Sequence, residues 1–199
     1  MALAKKISLL TLNNFKSNRE QAMEKFTFFW NGPFSQWEPS HFVIDDVEYN
    51  CAEQYMMAEK ARVFGDDEIL EQILEAEDPR TQKALGREVY PFDADEWEED
   101  ESNGRPRCWN IVWRGNMAKF SQNSYLMHEL QNTKGTTLVE ASPYDRIWGI
   151  GLRESDPAAQ GREGWQGRNW LGEVLTNVRE YLIADGRVYS SKNDERWPG

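Results

Sequence analysis

Glu53 and Lys60 stand seven positions apart in the stretch Cys51-Ala-Glu-Gln-Tyr-Met-Met-Ala-Glu-Lys-Ala61. Seven positions are two turns of an α-helix, so the carboxylate and the amine share one face. Met56 and Met57 lie between them and turn that face inward. Lys and Glu are rarely buried unless they are paired or used. A fold that packs this helix face inward is therefore expected to give both groups one pocket. The competing arrangement is a solvated helix on which the two charges coincide, since helical charge pairs are commonplace. A partly buried lysine loses its proton readily and becomes a nucleophile, because burial disfavours the ammonium form.

The rest of the chain reads as helices with a few short strands, an α+β class. Phe26, Phe28 and Trp30 alternate as in a half-buried strand. Phe42-Val-Ile44 and Val47-Glu-Tyr49 flank Asp45-Asp46 as a hairpin would. The Glu53–Lys60 helix ends before Gly65. Asp66 caps a second helix with apolar positions Ile69, Leu70, Ile73 and Leu74. Asp78-Pro79 opens a third, expected to stop at Gly86. Seven of the nine residues from Asp93 to Glu101 are acidic, and the segment reads as a solvated loop without a catalytic role. One long helix is expected from about Ile111 to Leu130, then a strand over Thr136 to Glu140 and a short strand or turn over Ile147 to Gly151. Leu171, Val174, Leu175, Val178 and Leu182 trace a final helix face. The expected organisation is an arm over 1–25, one helix-rich α+β domain over 26–184 and a polar tail over 185–199.

Composition narrows the chemistry. A chain of 199 residues can bury a real core, and nine Trp supply walls for a pocket. No run approaches a membrane span. Lys5 and Lys6 precede a short apolar stretch without a cleavage site, so no signal peptide is read and a cytoplasmic location is expected. Cys51 and Cys108 lack metal-ligand spacing, and His41 and His128 stand apart from them, so neither a metal centre nor a Ser-His-Asp triad is expected. Gly149-Ile-Gly151 lacks the third glycine of a dinucleotide fold, and no redox cofactor is expected. The net charge of −11 is uneven: residues 38–101 hold 21 acids against 5 bases, while residues 102–170 hold 6 against 9. The acidic half opposes nonspecific nucleic-acid binding, and the second stretch has the charge to hold a phosphate locally.

Three further blocks accompany the Glu53–Lys60 segment: Arg114-Gly-Asn-Met-Ala-Lys-Phe120, Glu140-Ala-Ser-Pro-Tyr-Asp-Arg-Ile-Trp148-Gly-Ile-Gly151, and Trp165-Gln-Gly-Arg-Asn169-Trp-Leu-Gly172. Together they resemble the NADAR family, also called the YbiA-like proteins, from roughly Phe26 to Ile183. The resemblance implies a hydrolase acting on N-glycosyl bonds, with no cofactor. Its implied substrates are ribosylated pyrimidine intermediates of riboflavin synthesis or, alternatively, ADP-ribose attached to guanine in nucleic acid. A non-catalytic module for NAD or ADP-ribose would need aromatic and phosphate contacts but not the Glu53 and Lys60 pair. One departure stands out. The family commonly has Ser-Asn, aromatic residues and then Pro near the first strands, where this chain has Ser35-Gln-Trp-Glu38-Pro. The oligomeric state is not legible.

Roles follow for named residues. Lys60 is the candidate nucleophile, forming an imine with the ring-opened ribosyl carbon; the resemblance supports this position, and the competing role is a charged amine holding phosphate or hydroxyl. Glu53 is the general base or acid beside it, or its ion-pair partner. Asp145 is either a second carboxylate toward the ribose or a turn residue bonding its own backbone. Glu140, at a strand end, ranks behind it. Trp148 is the base-stacking candidate, beside Gly149, with Trp113 and Trp37 as alternatives. Asn169 contacts sugar or phosphate, or only caps the last helix. Arg114 and Lys119 are phosphate candidates, Lys119 equally a surface residue. Gln36 offers an amide to the base.

Overall fold

A computed structural model of the chain describes residues 24–187. At its centre lies helix α1 (Ala52–Phe64), whose Ala52 to Ala58 are all buried, along with Ala61. Glu53 sits in its first turn, where a carboxylate suits the helix dipole. The helix stops at Gly65, whose left-handed φ of 69° few other residues adopt. Around α1 pack α2 (Asp67–Glu75), α3 (Pro79–Glu88) and α5 (Arg107–Gln122). The α1–α3 approach is set by Gly86, where an added Cβ would lie 2.0 Å from Met57 Sδ. Asp66 and Asp78 cap α2 and α3 by accepting from Ile69 N and Thr81 N, with Pro79 in the first turn.

Three expectations are corrected. Helix α3 runs through Gly86 to Glu88, because Gly86 serves close packing rather than termination. The acidic segment is not a free loop. Its residues Ala94–Trp97 form the one-turn helix α4, capped by Asp93, with Trp97 buried. Arg107 neutralises it, pairing with Glu96 at 3.0 Å and Glu99 at 3.1 Å. The long helix is two, α5 and α6 (Ser124–Asn132), broken at Asn123. Asn123 turns its amide to the carbonyls of His41 and Lys119, a side chain–backbone competition that favours leaving the helix. Of the two alternatives expected over Ile147 to Gly151, the chain takes the turn.

Strand β1 (Phe26–Phe29) pairs in parallel with β4 (Thr137–Glu140), Phe26 opposite Thr137 and Phe29 opposite Glu140. Between them in the chain, β2 (Phe42–Ile44) and β3 (Val47–Tyr49) form a hairpin. Its turn residues Asp45 and Asp46 both take positive φ, as a tight primed turn requires. Helix α7 (Trp170–Ala184) lies along β4, its face of Leu171, Val174, Leu175, Val178 and Leu182 buried. Gly172 permits this contact, since a Cβ there would meet Leu138 O at 2.1 Å. The class is helix-rich α+β. Residues 1–23 and 188–199 lie outside the described residues, and with them most of the expected arm and tail. Among the described residues no helix is long and apolar enough to cross a membrane.

Candidate active site

A cleft of about 900 Å³ opens between two walls. Helix α1 supplies Glu53, Met56, Met57 and Lys60 to one wall, and α3 adds Lys83, Gly86 and Arg87. The chain after β4 supplies the other: Glu140, Ser142, Tyr144, Asp145, Ile147 and Trp148. Trp30, Gln36 and Trp37 close one end, and Phe92 and Trp97 the other. A second depression of about 540 Å³ adjoins at Trp30, lined by Arg153, Glu154 and Gln160 among others. It lacks a lysine and a buried carboxylate, so the chemistry belongs to the larger cleft.

On the helical wall, the Lys60 amine donates to Gly86 O at 2.6 Å and lies 3.9 Å from the centre of the Phe92 ring. It makes no ion pair among the described residues. Burial without a carboxylate partner lowers its pKa from the ordinary lysine range. Glu53 is 5% exposed, and desolvation raises its pKa, countered by the charge of Lys83 and the polar edge of Trp37. Its backbone N–H, unsatisfied within the helix, donates to Gln36 O at 3.0 Å. The amine closest to Glu53 is that of Lys83, at 3.8 Å from Oε1, with its charge 5.9 Å from the Trp37 ring centre.

The facing wall carries two carboxyls. Glu140 opens onto the cleft with its Oε2 shielded and unpartnered among the described residues. Desolvation, reinforced by Asp145, pushes its pKa up to about 8. Asp145 takes both expected positions at once. It lines the cleft, and its Oδ1 accepts from Ile147 N at 2.8 Å and Trp148 N at 2.7 Å, holding the turn. Trp148 lies half-buried, its ring edge-on to Trp170 at 5.8 Å. At the closed end, Gln36 Oε1 accepts from Asn116 at 3.0 Å, while its Nε2 is buried without a partner among the described residues.

Five candidate residues stand outside this lining. Trp113 packs edge-on against Tyr181 at 5.7 Å. Arg114 pairs with Asp45 at 2.8 Å on the surface. Gly149 is buried behind the wall, where a Cβ would meet Asp145 O and Glu140 O at 3.0 Å. Asn169 is fully buried, accepting from Glu140 N and donating to Leu138 O, both at 3.0 Å. It ties β4 to the start of α7 without capping by side chain. Lys119 is buried, not surface; its amine donates to Ser35 O at 2.7 Å, and desolvation lowers its pKa to about 7. It anchors the loop that carries Gln36 and Trp37. Conversely, Lys83, Arg87 and Phe92 reach the cleft without having been singled out in the sequence. The Lys83 to Arg87 spacing of four puts both on one face of α3, but the spacing does not say that this face meets the cleft.

The cleft thus combines an amine whose pKa is lowered by burial, a second amine beside a buried carboxylate, a carboxyl that holds its proton, and aromatic walls. That set can move protons at a polarised carbon–nitrogen bond and supply an amine nucleophile. Among the described residues, no three His, Cys, Asp or Glu side chains are grouped to hold a metal ion.

Comparison with known proteins adds to this geometry. A family model described as the NADAR domain matches residues 14–183. An N-glycosidase of Acanthamoeba polyphaga mimivirus is 42% identical over 152 residues, covering 74% of this chain and 85% of that protein. A riboflavin biosynthesis protein of Vibrio vulnificus is 30% identical over 169 residues, 82% of this chain but 40% of the longer relative. The solution structure of the E. coli protein YbiA superposes with a TM-score of 0.65 at 23% identity, covering 88% of this chain and 96% of YbiA, a likeness of fold.

Proposed function

The chain belongs to the NADAR domain family, and from that premise we propose that its cleft hydrolyses the ribosyl–nitrogen bond of a ribosylated pyrimidine intermediate of riboflavin synthesis. It is an enzyme, a hydrolase acting on N-glycosyl bonds. The observation that carries the finer reading is the opening of Glu53 and Lys60, two turns apart on α1, into one cleft whose other wall bears Glu140 and Asp145. The riboflavin assignment is supported by the name of the Vibrio vulnificus relative.

In this mechanism Lys60 attacks the ribosyl C1′ and Glu53 accepts the amine proton; the lysine-bound ribosyl then opens its ring, the nitrogen's proton passing to the ring oxygen, and the imine so formed is what borohydride reduces. Splitting one difficult hydrolysis into two easier displacements is the advantage of a covalent intermediate. Lys60 suits the task because, among the described residues, its amine bonds a carbonyl and pairs with no carboxylate, and burial lowers its pKa. Trp148 offers a flat face to the base, and Arg87 a charge for a phosphate group. A second reading places the nucleophile at Lys83, favoured by its 3.8 Å approach to Glu53.

The test is incubation with ribosylaminopyrimidine intermediates and, in parallel, with ADP-ribosylated guanine DNA, scoring free base by mass spectrometry. Release from the pyrimidine substrate alone is expected. Release only from DNA moves the substrate to ADP-ribosyl guanine, and release from neither removes the assignment. Borohydride added during turnover, followed by peptide mapping, locates the ribosyl adduct on Lys60 or on Lys83.

A further inference from the structure

We propose that the Glu140 carboxyl is the acid that protonates the departing base nitrogen, which makes the preferred substrates ribosides whose base cannot leave without gaining a proton. The proposal rests on the N-glycosidase reading of the cleft and adds a catalytic residue and a substrate class to it.

The geometry singles Glu140 out among the four cleft carboxyls. Glu98 pairs with Arg168 at 2.8 Å. Asp145 directs Oδ1 at two backbone N–H groups and so holds its own turn. Glu53 faces the Lys83 amine. Glu140 has no such partner: its Oε2 is shielded from solvent and unbonded among the described residues, yet the residue lines the cleft. Its backbone is fixed on both sides. The N–H donates to Asn169 Oδ1 and the carbonyl accepts from Ile150 N, both at 3.0 Å, and Phe29 pairs beside it on β1. A rigid strand end thus holds, in the cleft lining, a carboxyl whose Oε2 has no partner among the described residues.

The charges that face it keep the proton in place. Asp145 lies on its own wall, beside Tyr144; Glu53, Lys60, Lys83 and Arg87 face it from α1 and α3; Glu98 lines the cleft just after α4. Asp145 and Glu53 oppose ionisation, Lys83 favours it, and burial is the largest effect, so the carboxyl titrates at about 8. An acid with that range is protonated at neutral pH and still able to give the proton up.

The step balances. As the Lys60 nitrogen bonds to C1′, its proton passes to the Glu53 carboxylate. The C1′–base bond breaks, its electron pair goes to the base nitrogen, and the Glu140 proton joins that pair. Water then adds to C1′ and loses a proton to the Glu140 carboxylate. The C1′–lysine bond breaks, and the lysine nitrogen recovers one proton from Glu53 and, as the ring closes, the other from the ring oxygen. Both carboxyls return to their starting states, and no oxidant or further reactant is consumed.

Two probes that differ in the leaving group test the assignment. One is a ribosylaminopyrimidine, whose base needs a proton to depart. The other is nicotinamide riboside, whose pyridinium leaves as a neutral ring without one. E140Q keeps the shape and removes the transferable proton. We expect kcat on the aminopyrimidine to fall about 100-fold or more, and kcat on the pyridinium riboside to fall far less. In the wild type, the aminopyrimidine profile should decline above neutral pH with an alkaline limb missing from the pyridinium profile. That second measurement stands by itself if E140Q fails to fold. An equal loss on both probes, an E140Q enzyme unimpaired on the aminopyrimidine, or identical wild-type profiles overturns the proposal while the N-glycosidase reading stands. A wild type inert toward every riboside removes that reading, and this proposal with it.

Discussion

The two walls of the cleft hold their residues by different means. On the helical wall, Glu53, Lys60, Lys83 and Arg87 are placed by helical spacing, and their side chains reach into the cleft with few bonds of their own. On the other wall, the side chains are placed by backbone hydrogen bonds: Asp145 holds the turn of Ile147 and Trp148, and Asn169 bridges Glu140 and Leu138. The difference teaches where function and stability separate. Substitutions on the helical wall should act on chemistry with little cost to the fold, whereas on the facing wall the same residue type serves both.

The largest effect that sharpens this contrast is on Lys60. Lys60→Arg keeps the charge but removes the amine nucleophile, and turnover should fall by about 1,000-fold or more with binding and melting temperature largely kept. Steady-state kinetics with calorimetric binding checks it. Substantial turnover in Lys60→Arg, together with its loss in Lys83→Arg, would move the nucleophile to α3. Next comes Glu53→Gln, which should lower kcat by about 100-fold or more. It should leave the fold as stable or more so at neutral pH, since the wild-type carboxyl carries a desolvation cost there. A marked drop in denaturation midpoint would place Glu53 with the structural wall instead.

On the facing wall, Asn169→Ala should cost about 2–3 kcal/mol, because it strands the Glu140 N–H and the Leu138 carbonyl in the interior. Asp145→Ala should cost about 1–2 kcal/mol and also impair turnover, while Asp145→Asn keeps the turn acceptor and loses only the charge. Urea denaturation of the three separates the roles; equal stability of the Ala and Asn variants at Asp145 would break the contrast between walls. Arg114→Ala, far from both walls, should change stability by less than about 1 kcal/mol, as for an exposed pair.

The smallest effects are slopes of stability against pH. Glu140 has its folded pKa raised to about 8, so its stabilising proton is fully present below the ordinary carboxylate range and is lost as pH rises through about 8. Lys119 is the opposite case. Its folded pKa is lowered from 10.5 to about 7, so the unfolded chain binds the extra proton between those values and stability rises with pH there. Denaturation midpoints from pH 5 to 9 should therefore lose their downward slope in E140Q, and a Lys119→Met variant should lose the upward one. Unchanged slopes in both would remove these assignments.

Features set by near neighbours in the chain were legible in the sequence. The α1 face, the Asp66 and Asp78 caps and the α7 stripe all depend on residues within a turn or two. What escaped depends on distant partners. Asn123 breaks its helix toward His41, 82 positions away, and the acidic segment, though its acids stay solvated, is folded around Arg107. Trp113 and Arg114 sit in a family-like block, but the face of α5 they occupy points to Tyr181 and Asp45 instead of the cleft. Lys83 gains meaning only once α3 is docked on α1 at Gly86, a contact no spacing announces.

The parallel pairing of β1 with β4 bears on how the protein is born. The hydroxyls of Thr27 and Thr136 meet at 2.7 Å across 109 positions of chain. As the polypeptide leaves the ribosome, β1 emerges early and must wait for its mate, while the helices between them gather around α1. Contacts of such long range close slowly, since the entropy of a large loop is lost before the contact rewards it. A nascent chain halted before Thr137 would carry Lys60 and Glu53 but neither Glu140 nor Asp145. With the roles proposed above, catalytic competence is withheld until late in translation, and the half-made chain carries the proposed nucleophile without the proposed acid.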